Sequence, residues 1–303
     1  MAQPLLEFEL RPVAEIRPWG SPQDPNLSWF GLSDGTWWIN AGNQRLFEYS
    51  AHAMRELGAP RYCDYQVVRL HEDLIELVPY ALEDVPAQLI PCIALESREL
   101  WSARWERWMA ALPDEDIGEA DYALIDSAGL WRGSRMLDSA YLSPSFDLRI
   151  WSSQGQVHLE WDNRAKLVEN ACAWTAVIGS FSLPSAGFLS ELRDFDARFM
   201  RAMAKRVEEV CGGALQDRGI RVDLRALERE QVERALAPGP TGRETVTNGL
   251  GVRSGGDVGS GGEVPVRSNR SVDSDTLRQG AARRRWKSCT VRPLSATCRS
   301  PSR

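Results

Sequence analysis

The segment His158-Leu159-Glu160-Trp161-Asp162 gathers side chains that can do chemistry. Read as a strand, it alternates, so His158, Glu160 and Asp162 share one face. An imidazole and two carboxylates are groups that hold a divalent cation or move protons. A hairpin turning at Gln154-Gly155 pairs this strand with residues 146–153 and sets Asp147 opposite Asp162. Two carboxylates that close push one pKa upward. His158, Glu160, Asp162 and Asp147 are therefore the candidate catalytic residues. The plain alternative is the wet face of a half-buried antiparallel strand, with Arg149–Glu160 as a cross-strand ion pair. The chain offers no short metal-ligand spacing, so neither a metal nor a cofactor is expected. His52 and His71 stand outside any His-Glu-x-x-His arrangement and read as hydrogen-bonded, half-buried side chains. Gly249-x-Gly251 neither follows a strand nor opens a helix, so it fails the context of a phosphate loop.

Binding is the other chemistry on offer. Trp29 and Trp38, with the acidic run Asp114-Glu115-Asp116, form a candidate surface of aromatic anchors beside negative charge. The competing reading puts these tryptophans, and the stripe Trp101, Trp105 and Trp108, in the core.

Positioning these residues falls to a small set of elements. Asp34-Gly35, between Leu27–Ser33 and Thr36–Asn40, predicts a two-residue hairpin pairing Leu32 with Trp37 and Phe30 with Ile39. A second turn at Gly42-Asn43 extends it to a three-stranded meander in which Ile39 meets Leu46 and Trp38 meets Phe47. Val67, Leu70, Leu74, Leu77 and Val78 recur at helical spacing, with Glu72, Asp73 and Glu76 turned away and Pro79 at the end or close to it. A helix over 97–112 follows. The second hairpin pairs Ile150 with Leu159, Leu148 with Trp161, Arg149 with Glu160 and Trp151 with His158. Residues 174–183 read as another strand. Phe188, Leu192, Phe195, Phe199, Met203, Val207 and Val210 mark a long helix over 186–210, with Ser185 as its cap. A short helix over 224–236 is capped by Asp223. The fold class is α+β, with antiparallel meander and hairpin sheets packed against several helices.

Charge divides the chain. Residues 237–303 carry a net charge of +7 and the remainder −13, within a total of −6. Leu and Val number ten of those 67 residues, below what a packed core needs. The expected organisation is one α+β domain over 1–236 and a disordered, basic, low-complexity tail over 237–303. That tail is either an anion-binding arm or an unselected, out-of-frame extension. The acidic part disfavours nucleic acid, whose phosphates need clustered cations, and favours a basic protein partner. Six scattered cysteines and the absence of a leader or a spanning apolar run point to the cytoplasm, with no membrane association.

The string Leu27–Ile39 and the segments Leu46–Ser50, Trp161–Arg164 and Phe188–Val210 carry a resemblance, joined by Phe8–Pro12 and Pro18–Gly20. Over residues of about 5–215 the chain resembles an uncharacterised bacterial domain-of-unknown-function family (number 5984). The resemblance implies a bacterial source and one compact domain, and it brings no assigned activity. The function expected is a non-enzymatic cytosolic binding protein, of the immunity or regulatory kind, with an acidic surface. The alternatives are a metal-dependent or acid/base hydrolase on the His158 face, and a module that homo-oligomerises through the meander.

Overall fold

The fold was followed in a computed structural model that describes residues 3–21, 23–87, 89–95 and 119–237, with Ala103 and Glu106. The elements run β1 (Leu6–Leu10), β2 (Trp19–Ser21), β3 (Asp24–Leu27), α1 (Trp29–Leu32), β4 (Gly35–Ala41), β5 (Gln44–Leu46), α2 (Ala51–Leu57), β6 (Cys63–Asp64), α3 (Val67–Leu82) and α4 (Ile90–Ile93). There follow α5 (Glu119–Gly133), β7 (Leu148–Ser153), β8 (Gln156–Asp162), β9 (Leu167–Val168), β10 (Ala171–Cys172), β11 (Ile178–Pro184), α6 (Ser185–Cys211), β12 (Arg221–Val222) and α7 (Leu224–Leu236). The class is α+β, as the sequence implies.

The first sheet differs from the expected meander. β4 pairs with β1, Leu6 opposite Ile39 and Phe8 opposite Trp37, while β5 and β6 also pair with β4. Residues 29–32 are not a strand. Ser28 caps them by accepting a hydrogen bond from the Gly31 N–H, and the single turn buries Trp29 and Leu32, three residues apart on one face. The edge of β4 assigned to this segment belongs to β1 instead. Gly35 is needed for that contact and not for a turn: a Cβ there would lie 2.4 Å from the Glu9 carbonyl oxygen. The Ile39–Leu46 pair forms as predicted. Phe47, at φ 66°, leaves the strand and packs on Trp37 at 4.5 Å and Phe146 at 4.3 Å, so it does not meet Trp38.

The second sheet has the order β11-β8-β7, and the expected pairs from Leu148–Trp161 to Trp151–His158 occur. Its turn residues, Gln154 and Gly155, both have positive φ, as a two-residue turn of this hand requires. The face carrying Arg149, Trp151 and Glu160 is not wet. A small second core of Val85, Leu89, Cys92, Ile93, Ala94 and Ala128 packs on Trp151 and covers it. The hairpin is thus sandwiched, with Leu148, Ile150, Leu159 and Trp161 turned to the main core.

α6 buries the whole predicted stripe from Phe188 to Val210. Ser185 is its first residue and not its cap; the cap position is Pro184 and makes no side-chain hydrogen bond. α7 starts where expected, with Asp223 accepting from the Ala226 N–H. Pro79 lies inside α3, which continues to Leu82. The helix expected over 97–112 lies outside the described residues apart from Ala103 and Glu106, both helical, and the tail after Ala237 lies outside them as well.

Candidate functional site

The predicted catalytic set does reach one side of the second sheet, but each member has a partner. His158 stacks on Trp151 at 4.2 Å, and its Nδ1 lies 2.8 Å from the Ser182 hydroxyl on the neighbouring strand. Burial holds its pKa below the ordinary value. Glu160 is buried and accepts from the Leu95 N–H at 2.9 Å. Arg164 grips Asp162 through two hydrogen bonds of 3.0 Å. Asp147 pairs with Lys166 at 2.9 Å. Asp147 and Asp162 therefore meet separate cations rather than each other. Among the described residues, no cluster of three His, Cys, Asp or Glu side chains has a geometry that could hold a metal ion.

The predicted binding tryptophans separate. Trp29 is fully buried, donates its indole N–H to Gln231 of α7, and has the Arg234 guanidinium 4.3 Å from its ring centre. It is core because α6 and α7 close over α1. Trp38 is half-buried and stacks on Tyr62 at 4.2 Å. Phe47 and Tyr49, from the same expected face, are buried as well. Asp114, Glu115 and Asp116 lie outside the described residues, as do Trp101, Trp105 and Trp108. His71 is buried with Nε2 2.7 Å from Asp196, and His52 contacts the Val168 carbonyl at 3.1 Å.

Two ionic clusters were not foreseen. In the first, Asp34 and Asp64 bind Arg11 and Arg17 through four ion pairs of 2.7–3.0 Å. Burial alone would raise the Asp34 pKa. Hydrogen bonds from Arg17 and the charges of Arg17 and Arg11 outweigh it, so the carboxyl sits below the ordinary range. This cluster is internally neutral, and it fastens the chain after β1 to the residue before β4 and to β6.

The second cluster is not balanced. Asp73 is only 7% exposed although it stands among the helix residues expected to face water. The loop after α5 folds over α3 there and brings in Asp138 and Tyr141. Arg69 Nη2 lies 3.1 Å from Asp73 Oδ1 and 2.7 Å from Asp138 Oδ2, and its guanidinium faces the Tyr141 ring at 5.5 Å. Asp73 Oδ2 is buried with no hydrogen-bond partner, and so are Arg69 Nε and the Tyr141 hydroxyl. Burial, then the nearby charges of Asp138, Glu76 and Glu72, push the Asp73 carboxyl up to about 7 against the pull of Arg69. Asp73 lines a cleft of about 190 Å³ with Glu76, Leu77, Tyr80, Ser134, Met136 and Asp138. A concave surface, a perturbed carboxyl and an unsatisfied buried acceptor coincide here, which makes this cleft the candidate site.

The comparisons with known proteins bear on this. The pattern of a family of unknown function, DUF5984, matches residues 5–246. The chain belongs to that family. No curated protein and no solved structure matches it. The family match spans the Asp73 cleft, all four sheets among the described residues and all of α7. It extends well past residue 215, where the sequence resemblance was drawn.

The sequence held one sign of the cleft. Asp73 lies one position from Leu74 and three from Leu70, at the margin of the apolar stripe of α3. Burial at that margin depends on whether a distant segment covers it. Composition cannot reveal that.

Proposed function

We propose that this chain is a cytosolic, non-enzymatic binding protein, of the immunity or regulatory kind, that masks a basic protein partner. The observation carrying this reading is the convergence of Asp73, Glu76 and Asp138 around one cleft. The exposed Tyr80 at its edge suits an interface, because a tyrosine offers a large rigid contact with a polar tip. The net charge of −13 over residues 1–236 would steer a basic partner toward it and repel nucleic acid. The hydrolase reading has less support, since His158, Glu160, Asp162 and Asp147 are each engaged by stacking, a backbone N–H or a cation.

A photo-crosslinking residue at position 80, compared with one at the exposed position 55 on α2, tests the proposal in the native cell. The expected result is one basic protein captured from position 80 in the cell, with capture failing when a lysate is irradiated at high salt. Equal capture from both positions, or none across several growth conditions, overturns it.

A further inference from the structure

The second sheet ends on β11, and the direction of its backbone groups follows from hydrogen bonds elsewhere in that sheet. On β7 the Ile150 N–H donates to the Arg135 carbonyl, and the Leu148 carbonyl accepts from the Leu137 N–H. Even-numbered residues of β7 therefore turn their backbone polar groups away from β8. Antiparallel alternation carries this across the sheet, so Val157, Leu159 and Trp161 of β8 face β11, and Gly179, Phe181 and Leu183 face back. The outer edge of β11 then presents the N–H and C=O of Ile178, Ser180 and Ser182, with the C=O of Pro184. All four residues are exposed. Among the described residues β11 pairs with β8 alone, and these outward groups have no backbone partner.

Two other outer strands have their edges engaged. Val85, Arg135 and Leu137 bond the far side of β7. On β1 the Leu6 carbonyl accepts from the Arg198 guanidinium at 2.6 Å. An open edge is ordinarily blunted by charge, a bulge or a proline. β11 has no charged residue, its register with β8 runs unbroken from Ile178–Asp162 to Pro184–Gln156, and its proline comes last. A basic segment would find no carboxylate in this strand to pair with, so the edge suits a neutral strand. β11 is itself such a strand, and it complements itself. Turned antiparallel about Phe181, it sets Ser180 opposite Ser182 of a second copy, and Ile178 opposite that copy's Pro184. Hydroxyl meets hydroxyl, apolar meets apolar, and no like charges oppose each other.

We infer that β11 is a self-association edge, at which two copies of this chain pair antiparallel about a two-fold axis at Phe181 and join two three-stranded sheets into one. Ser180 and Ser182 exchange N–H···O bonds with Ser182 and Ser180 of the second copy. Each Ile178 N–H reaches the Pro184 carbonyl opposite. The net charge of −6 opposes this approach only weakly at about 0.15 M salt, where screening acts within about 8 Å. The edge is separate from the Asp73 cleft and does not depend on the binding function proposed above.

Sedimentation equilibrium of the full-length chain, with hydrogen-exchange mass spectrometry of peptides spanning 178–184, tests this. The expected result is a reversible monomer–dimer equilibrium, with slower deuterium uptake in those peptides at high protein concentration than at low. Ser180→Pro removes an outward N–H from each copy, hence two bonds per dimer, and should weaken association about thirtyfold. It spares the pairing with β8, because the lost N–H faces outward. Ser180→Lys keeps every N–H but puts charge on the edge. It should weaken association in the same direction, which keeps the test decisive if the proline variant fails to fold. A monomer at the highest soluble concentration overturns the inference. So does a dimer whose 178–184 peptides exchange as fast as in the monomer, or unchanged association in the folded variants.

Discussion

Asp34 and Asp73 are both buried aspartates, and the chain treats them in opposite ways. Asp34 meets two guanidinium groups and stays ionised, with its pKa depressed. A depressed carboxyl stabilises the fold above its unfolded pKa and loses that contribution as pH falls through the folded value. Asp34→Ala leaves Arg11 and Arg17 facing only Asp64, and is expected to cost about 3 kcal/mol in urea unfolding at pH 7. The deficit should shrink as the pH falls into the acid range. A deficit that stays constant with pH would remove the ion network as its cause. Asp73 has the reverse sign. Its carboxyl is raised from 3.8 to about 7 by burial and by Asp138, Glu76 and Glu72, against Arg69, with the Tyr141 ring beside that arginine. The folded state therefore holds the proton more tightly than the unfolded chain. Stability from this residue falls as pH rises from about 4 to about 7 and is level beyond. Asp73→Asn, which cannot ionise, should unfold at a higher temperature than the parent at pH 8, by at most about 4 kcal/mol of stability. That advantage should fade toward pH 4.5. The same melting difference at both pH values would assign it to something other than the Asp73 proton.

At the scale of elements, local consistency decided what could be read in advance. β7 and β8 were legible because every cross-strand pair agreed with one register, from Leu148–Trp161 to Trp151–His158. α6 was legible because its stripe runs unbroken from Phe188 to Val210. Residues 27–33 were misread because Trp29, Phe30 and Leu32 have strand-like composition, while the spacing of Trp29 and Leu32 suits a helical turn equally well. The choice went to the turn because β1, far away in sequence, takes the edge of β4. Two predictions belong here. Gln154 holds φ 53° at the first position of the β7–β8 turn, where asparagine is the better residue. Gln154→Asn should therefore raise stability by about 0.5 kcal/mol in thermal unfolding, while Gly155→Ala should lower it by about 1 kcal/mol. On α6, Phe199 is fully buried among Phe8, Trp29, His71 and Phe195. Phe199→Ala should cost about 3–5 kcal/mol in urea unfolding, as an aromatic cavity does. A loss under 1 kcal/mol would mean that α7 and β1 collapse into the space.

For the molecule as a whole, the candidate site was hard to foresee because its parts come from separate stretches of chain. Asp73 and Arg69 sit on α3, Asp138 and Tyr141 some 65–70 residues later, and no local period links them. The His158 face was easy to foresee because it lies within one strand, and local clustering drew attention to residues that already have partners. The same reasoning sets an expectation for the end of the domain. The family pattern stops at residue 246, ten residues beyond the last described helix, α7. α7 is held by Trp29–Gln231, by Arg234–Glu72, and by Leu227 in the main core. Residues 247–303 contain one aromatic, Trp286, and few branched aliphatics, so they have little apolar surface to contribute to that core. Ending the chain after residue 246 should therefore leave the unfolding midpoint within about 1 °C of the full chain. Ending it after residue 222 should remove α7, uncover Trp29 and lower the midpoint by more than 10 °C, since about 1 kcal/mol already moves it 2–4 °C at this size. Scanning calorimetry of the three lengths separates the cases. A midpoint that falls already at residue 246 would place part of the stabilising core in the basic segment, and the domain boundary would then move toward the C-terminus.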